Sequence, residues 1–300
     1  FHSADLIGTA WFINGASHCY LPVFSPTEFL QTISENRVSA TIAVPAMLMA
    51  VVGGSDTSDF DISSLRILMY GASPMAFEWT ERVATAFPNA DFLNCYGLTE
   101  AAPDLTIFDS KAFRAAIKSG DRDGIVSSVG KPNVLVDLRV IGEDGEDVPP
   151  GEVGELWAAG PNIMKGYLNL ADETNSAMTN GWLHTGDLAR IDSEGYVYLL
   201  DRLKDLVITG GENVYCSEVE AALHRHPMVS EAAVIGISDG RLGEALFAVI
   251  VLKSDSEVTE EELVVHCRTL IGGYKIPRRY KFVDTLPKNA LGKINKKEFF

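Results

Sequence analysis

The side chain best placed to act on phosphate is a lysine in the run Pro287-Lys288-Asn289-Ala290-Leu291-Gly292-Lys293-Ile294, held after a glycine turn. It lies in the most basic stretch of an acidic protein. From Lys275 to Lys297 the cations are Lys275, Arg278, Arg279, Lys281, Lys288, Lys293, Lys296 and Lys297, against one acid, Asp284, while the whole chain carries −16. Such a local reversal of sign points to an anion site. Two further candidates are Gly71-Ala72-Ser73 and Tyr96-Gly97-Leu98-Thr99-Glu100. Each follows an apolar strand pattern, and ligands of open α/β sheets sit at the carboxyl ends of strands.

The elements that must position these residues follow from the hydrophobic pattern. With 46% apolar residues over 300, the chain can build a full core, on the scale of about two domains. Its longest apolar stretches, Thr41 to Val52 and Ala245 to Leu252, fall short of the ~20 residues that cross a bilayer, so no membrane span is expected. The chain starts at Phe1 without a basic-then-apolar leader, and it reads as a fragment without a secretory signal. Cys19, Cys95, Cys216 and Cys267 are scattered without metal-ligand spacing, which points to reduced thiols and a cytoplasmic location. The acidic balance argues against a nucleic-acid partner, because backbone phosphates call for an extended basic surface.

The first hundred residues alternate helix and strand. Ser25-Pro26-Thr27-Glu28 reads as a capping box with proline at the first helical position, opening a helix to about Asn36. Then come a strand at Ala40 to Val44, a helix at Pro45 to Val52, a strand at Leu65 to Tyr70, a helix opened by Ser73-Pro74, and a strand at Asp91 to Tyr96. This is a partial doubly wound α/β pattern, assigned to residues 1–120. Short β runs with turn residues between them mark 121–200 as a small antiparallel barrel or sandwich. Residues 201–204 form a charged joint, and 205–300 read as a compact α+β domain, with capping boxes at Ser217/Glu220 and Thr259/Glu262.

Five ordered runs carry a resemblance that covers essentially the whole chain: YGLTE at Tyr96 to Glu100, GELWAAGPNIMKGYLN from Gly154, GWLHTGDLARID from Gly181, DRLKDLVITGGENVYCSEVE from Asp201, and LPKNALGKI from Leu286. Together they resemble the adenylate-forming superfamily of acyl-CoA synthetases, aryl-CoA ligases, luciferases and peptide-synthetase adenylation domains. The resemblance implies that a carboxylic acid attacks the α-phosphate of ATP and that a thiol then displaces AMP. Lys293 matches the adenylation lysine, Glu100 the residue that helps hold Mg2+, and Thr99 a phosphate contact. Asp187 and Arg202 match the groups around the ribose, while Gly71, Ala72, Ser73, Tyr96 and Gly97 match the segments enclosing the adenine. Lys204 falls on the hinge about which the C-terminal domain rotates. Gly210, Gly211 and Glu212 match the coenzyme A channel, and His2 and Leu98 the acyl pocket. Trp182, Tyr167 and Asn162 fall in the motifs in structural roles.

The family's Ser/Thr/Gly-rich loop ending in lysine does not appear. Its nearest counterpart, Gly53 to Asp59, has two acids and no lysine, so these 300 residues alone are expected to adenylate weakly or not at all. The run ITGGENVYCSEVE is closer to acyl- or aryl-CoA synthetases, making coenzyme A the expected acceptor. Medium- or long-chain fatty acids are the expected substrate. The alternatives are an aryl acid of cinnamate or benzoate type, or a non-catalytic nucleotide-binding module. Oligomeric state is not legible.

Overall fold

The computed structural model describes residues 8–54, 56–73, 75–121, 124–254, 256–288 and 294–299. It divides into two compact units, one of Phe1–Thr185 with Ala189–Leu199, the other of Gly186–Leu188 with Leu200–Phe300.

In the first unit a short helix α1 (Thr9–Ile13) precedes α2 (Pro26–Asn36), whose Ser25 hydroxyl accepts the Glu28 N–H, the N-cap half of the capping box that the sequence predicts. Arg37, in the left-handed region at φ 49°, ends it. Then follow β1 (Ala40–Ala43), α3 (Pro45–Gly54), β2 (Ile67–Gly71), α4 (Phe77–Ala86), β3 (Asp91–Gly97), β4 (Asp104–Phe108), α5 (Ser110–Ser119) and β5 (Lys131–Pro132). The sheet runs β1-β2-β3-β4-β5, with β1, β2 and β3 parallel and β4 and β5 antiparallel to their neighbours. Helices bury an aromatic cluster against it: the Phe113 ring lies 5.5 Å from Phe92 and 5.6 Å from Phe108. Each such ring contributes on the order of 2–3 kcal/mol by leaving water.

One helix starts later than the sequence suggests. α4 opens at Phe77 rather than at Ser73-Pro74 (Pro74 is outside the described residues), because Ala72 is left-handed at φ 72° and Ala76 is extended. The β-rich segment continues with β6 (Asp137–Ile141), β7 (Gly154–Ala159), a short helix α6 (Ala171–Ala177), β8 (Met178–Thr179), β9 (Trp182–Ile191) and β10 (Val197–Arg202), forming one sheet in the order β10-β9-β7-β6, with β8 on β9.

The second unit contains β11 (Leu206–Thr209), β12 (Glu212–Tyr215), α7 (Cys216–His224), β13 (Val229–Asp239), β14 (Gly243–Leu252), α8 (Glu260–Arg268) and β15 (Arg279–Phe282). Its sheet runs β12-β11-β14-β13, with β15 parallel to β14. Side chains alternate along β13 and β14: Ala232, Val234, Ala248 and Ile250 pack with α7 and α8, whereas Ala233, Val249 and Val251 face Leu286, Ile294 and Phe299. The sheet is thus covered on both faces.

Thr259 and Glu262 form the expected reciprocal capping box on α8. Ser217 and Glu220 do not form theirs. α7 begins at Cys216 with Tyr215 as its extended cap, so Ser217 lies inside the first turn. Its hydroxyl donates to the Leu200 carbonyl, its N–H to Asp201 Oδ2 at 3.0 Å, and Glu220 turns to Val234 and Lys296.

Candidate functional site

Parallel pairing of β2 with β3 brings Gly71 opposite Cys95 and sets two predicted segments side by side at the carboxyl ends of the strands. The absence of side chains there is a packing requirement. A Cβ on Gly71 would lie 2.2 Å from the Cys95 carbonyl oxygen, and one on Gly97 would lie 1.6 Å from that of Pro103. Ala72 and Ser73 leave this edge exposed. The left-handed backbone of Ala72 costs about 1–2 kcal/mol in a non-glycine residue, strain of a kind that recurs at functional sites. Burial pushes the Cys95 thiol up to about 12, so it remains a neutral packing group.

After Gly97 the chain turns through Leu98 into a single 3-10 turn, Thr99–Ala101, which Ala102 closes at φ 48°. Three contacts fix it. The Met164 N–H donates to the Glu100 carbonyl at 2.8 Å, the Asn162 amide donates to the Ala101 carbonyl at 2.7 Å, and the Ala101 side chain is fully buried. The Tyr167 hydroxyl then donates to Glu100 Oε1 at 2.8 Å. Burial and the adjacent carboxylate raise the phenol above its ordinary value, so it keeps the proton it donates. Tyr167 and Asn162, read from sequence as structural, are the groups that orient the Glu100 turn; their place in the run that begins at Gly154 was the available signal.

In the second unit Asp187 is 6% exposed and its Oδ1 lies 2.8 Å from Arg202 Nε. The guanidinium itself is half in water. Asp201, next in chain to Arg202, is pushed upward by burial although the N–H groups of Ser217 and Arg202 donate to it. Lys204 is exposed in a 3-10 turn, Leu203–Asp205, between β10 and β11. Gly210 and Gly211 form a two-residue hairpin between β11 and β12 at φ 61° and 88°, the double positive φ that this tight turn demands, with Glu212 exposed after it. Lys293 and His2 lie outside the described residues.

The charge reversal along the sequence is partly compensated in space. Lys275 pairs with Glu218 at 2.6 Å, Lys288 with Glu231 at 2.7 Å and Lys296 with Glu220 at 2.8 Å. These three cations therefore do not form the free anion-binding surface that their sequence clustering suggests. Arg278, Arg279 and Lys281 are exposed. Among the described residues, no three His, Cys, Asp or Glu side chains converge on a metal-sized space. No helix there is long and apolar enough to cross a membrane.

Residues 1–168 match the AMP-binding enzyme family, and residues 218–293 match the AMP-binding enzyme C-terminal domain. A feruloyl-CoA synthase from an Amycolatopsis species is 37% identical over 99% of this chain and 59% of its own length. A medium/long-chain-fatty-acid–CoA ligase from Mycobacterium tuberculosis is also 37% identical, over 99% of this chain and 52% of its own. The o-succinylbenzoate CoA synthetase of Bacillus subtilis, solved with its acyl-adenylate intermediate, superposes with a TM-score of 0.81 at 32% identity, covering 92% of this chain and 54% of that one. The chain thus spans about half the length of the curated relatives it matches. Each unit contains one of the matched regions, and the chain belongs to the family of AMP-binding enzymes.

Proposed function

We propose that this chain is part of an AMP-forming acyl-CoA synthetase, which joins a carboxylic acid to coenzyme A through an acyl-adenylate. The observation that carries this reading is the Asp187–Arg202 pair: a nearly buried carboxylate, able only to accept hydrogen bonds, held in one orientation by a half-exposed guanidinium. That arrangement suits a diol such as the ribose of ATP. Gly71, Ala72, Ser73, Tyr96 and Gly97 would border the adenine, with Leu98 toward the acyl group.

Attack of a carboxylate on phosphate brings two anions together, so positive charge where charge develops is the main requirement. Lys293 would supply it at the α-phosphate, and Thr99 a hydroxyl donor. The donor set fits Mg2+ held by Glu100 together with substrate phosphates, since that ion commonly takes one or two carboxylates and keeps phosphate ligands. It would add Lewis-acid charge there. Tyr167 holds Glu100 in place. In the thiol step Lys204 would act as the hinge, and Gly210, Gly211 and Glu212 would line the passage of the pantetheine arm. Arg278, Arg279 and Lys281 are candidates for the coenzyme A phosphates.

Medium- or long-chain fatty acids are the proposed substrates, with aryl acids the second class, because relatives of both kinds are equally similar. The reaction belongs in the cytoplasm, where ATP and coenzyme A are available. Carboxylate-dependent ATP–pyrophosphate exchange over a panel of fatty and aryl acids, run on this chain and on the chain extended upstream, tests the reading. Exchange confined to the extended form with one class of acid is expected. Silence in both with all acids, while AMP still binds, would replace it with a nucleotide-binding module.

A further inference from the structure

The loop between β7 and α6 meets the Glu100 turn through Asn162 on the Ala101 carbonyl, the Met164 N–H on the Glu100 carbonyl, and the Tyr167 hydroxyl on Glu100 Oε1. The first two contacts fix backbone. Only the third reaches the carboxylate, and Tyr167 is 37% exposed, so burial by itself does not hold the ring where it must be to donate. Whatever sets the direction of that side chain has to act on the Tyr167 backbone.

Thr174 on α6 does so. Its hydroxyl accepts the Tyr167 N–H at 2.9 Å and donates to the Leu170 carbonyl at 2.8 Å. With its one proton committed to Leu170, the oxygen is left as an acceptor, which is what an N–H requires. Gly166, adjacent to Tyr167, stands at φ 146°, and a Cβ there would lie 2.6 Å from Thr174 Cγ2 and 2.9 Å from its Oγ1. Threonine is branched at Cβ and holds few rotamers in a helix, so it could not swing aside to admit one. The missing side chain at 166 and the hydroxyl at 174 are two halves of one contact: the chain comes close enough to hydrogen-bond because residue 166 is glycine. Helical threonines commonly bond back to the carbonyl four residues earlier, which accounts for the Leu170 contact. It accounts for neither the Tyr167 N–H nor the close approach of Gly166.

We infer that Thr174 is a positioning residue for Glu100 that acts through Tyr167, anchoring the tyrosine backbone in the one orientation from which the phenol reaches the carboxylate. This rests on the magnesium role proposed for Glu100. Thr174 touches neither nucleotide nor metal in this scheme. Its effect reaches the reaction through the Tyr167–Glu100 hydrogen bond alone.

The test compares Thr174→Val, which keeps the shape and loses the hydroxyl, with Thr174→Ser, Tyr167→Phe, the double variant Thr174→Val/Tyr167→Phe, and Glu100→Ala. In the chain as it stands, isotope-labelled at tyrosine Cζ, the Tyr167 resonance is identified by its loss in Tyr167→Phe and reports the hydrogen bond of the phenol at neutral pH. Glu100→Ala and Thr174→Val are expected to move it in the same direction, and Thr174→Ser to leave it in place. In the upstream-extended chain, Thr174→Val should lower pyrophosphate exchange at limiting Mg2+ about fivefold, the worth of one hydrogen bond, and leave exchange at saturating Mg2+ close to wild type. Thr174→Ser should restore it. The double variant should lose about fivefold, as Tyr167→Phe does alone, whereas two independent sites would multiply to roughly 25-fold. An unmoved Tyr167 resonance in Thr174→Val, or a multiplied loss in the double variant, overturns the inference. If Glu100→Ala leaves exchange unchanged at every Mg2+ concentration, the magnesium role of Glu100 fails instead, and with it the consequence for the reaction, while the Tyr167 resonance still decides whether Thr174 holds the ring.

Discussion

Removing either partner of the Asp187–Arg202 pair should have unequal consequences, and the inequality can be worked from burial. The carboxylate side chain is 8% exposed and the guanidinium 47%. Arg202→Met removes the compensating cation from beside a carboxylate that water barely reaches. Breaking a buried pair in this way typically costs about 3–5 kcal/mol; with half the guanidinium already in water, about 2 kcal/mol is expected. Asp187→Asn instead leaves a neutral amide of the same shape and an arginine that can turn to solvent, for about 0.5–1 kcal/mol. The double variant Asp187→Asn/Arg202→Met should then resemble Asp187→Asn alone, since the carboxylate that the arginine compensates is gone. Urea unfolding of the four proteins measures this directly. Nucleotide affinity should follow the opposite order: Asp187→Asn loses an acceptor for the ribose and should weaken AMP binding about 10- to 100-fold by calorimetry, on the basis of about 1.5–3 kcal/mol for hydrogen bonds to a charged group. If Arg202→Met proves no more destabilising than Asp187→Asn, or if Asp187→Asn binds AMP as the wild type does, the reasoning from burial or the ribose role respectively is refuted.

Tyr167→Phe removes one hydrogen bond to Glu100 from a partly exposed site, so stability should fall by about 1 kcal/mol or less while pyrophosphate exchange of the upstream-extended chain at low Mg2+ falls about fivefold; equal exchange at all Mg2+ concentrations would deny Tyr167 an orienting role. Phe113→Ala, emptying the space between Phe92, Phe108 and Tyr70, should cost about 3–5 kcal/mol in urea unfolding, and a loss below about 1 kcal/mol would show that the cluster collapses to fill it. Thiol titration at neutral pH should label Cys19 rapidly, because it is exposed, the half-buried Cys95 more slowly, and Cys216 and Cys267 only on unfolding, since burial pushes the last two up to about 12 and about 11; labelling of Cys216 or Cys267 in the folded protein would contradict that burial. Acid should weaken the fold at Asp192 and Glu262. Burial raises the Asp192 carboxyl, but the N–H groups of Tyr196 and Glu194 and the Tyr198 hydroxyl outweigh it, and the Thr259 N–H and hydroxyl lower Glu262. A folded-state value below the unfolded one gives stabilisation that is complete above the unfolded carboxyl range and is lost as pH falls through the folded-state value. Protection of the amides in the first turn of α8, measured against their intrinsic exchange rate at each pH, should therefore fall between neutral pH and about pH 3, and Glu262→Gln should flatten that dependence.

Much of the architecture follows from local pattern. The alternation of apolar runs with capped helices placed β1 to β3 and α2 to α3 within a residue or two, because a strand or helix that buries one face must repeat its apolar residues at that element's period. The apolar pattern does not mark β4 or α5. Asp109 caps α5 through the N–H groups of Lys111 and Ala112, a signal that was present, but β4 runs antiparallel inside an otherwise parallel pattern that gave no reason to expect it. The motif residues were legible by type and order, whereas their partners were not.

Two segments with the same spelling show where sequence stops. Thr259 and Glu262 cap α8 because both partners lie within one turn. Ser217 and Glu220 have the same spacing, yet the Leu200 carbonyl, the Val234 N–H and Lys296 reach them first, from residues 14 to 76 positions away. Hydrogen bonds and ion pairs of similar strength are chosen by which partner is nearest in space. For the same reason the sequence gathers eight cations into an apparent anion site, while the fold turns Lys275, Lys288 and Lys296 onto glutamates of α7 and β13. The sequence alone determined most of the strands and helices and the type and order of the motif residues. Only the tertiary structure decided which of those side chains are already committed to one another, because distance in space, which no local pattern encodes, sets both the Coulomb attraction and the solvent it must displace.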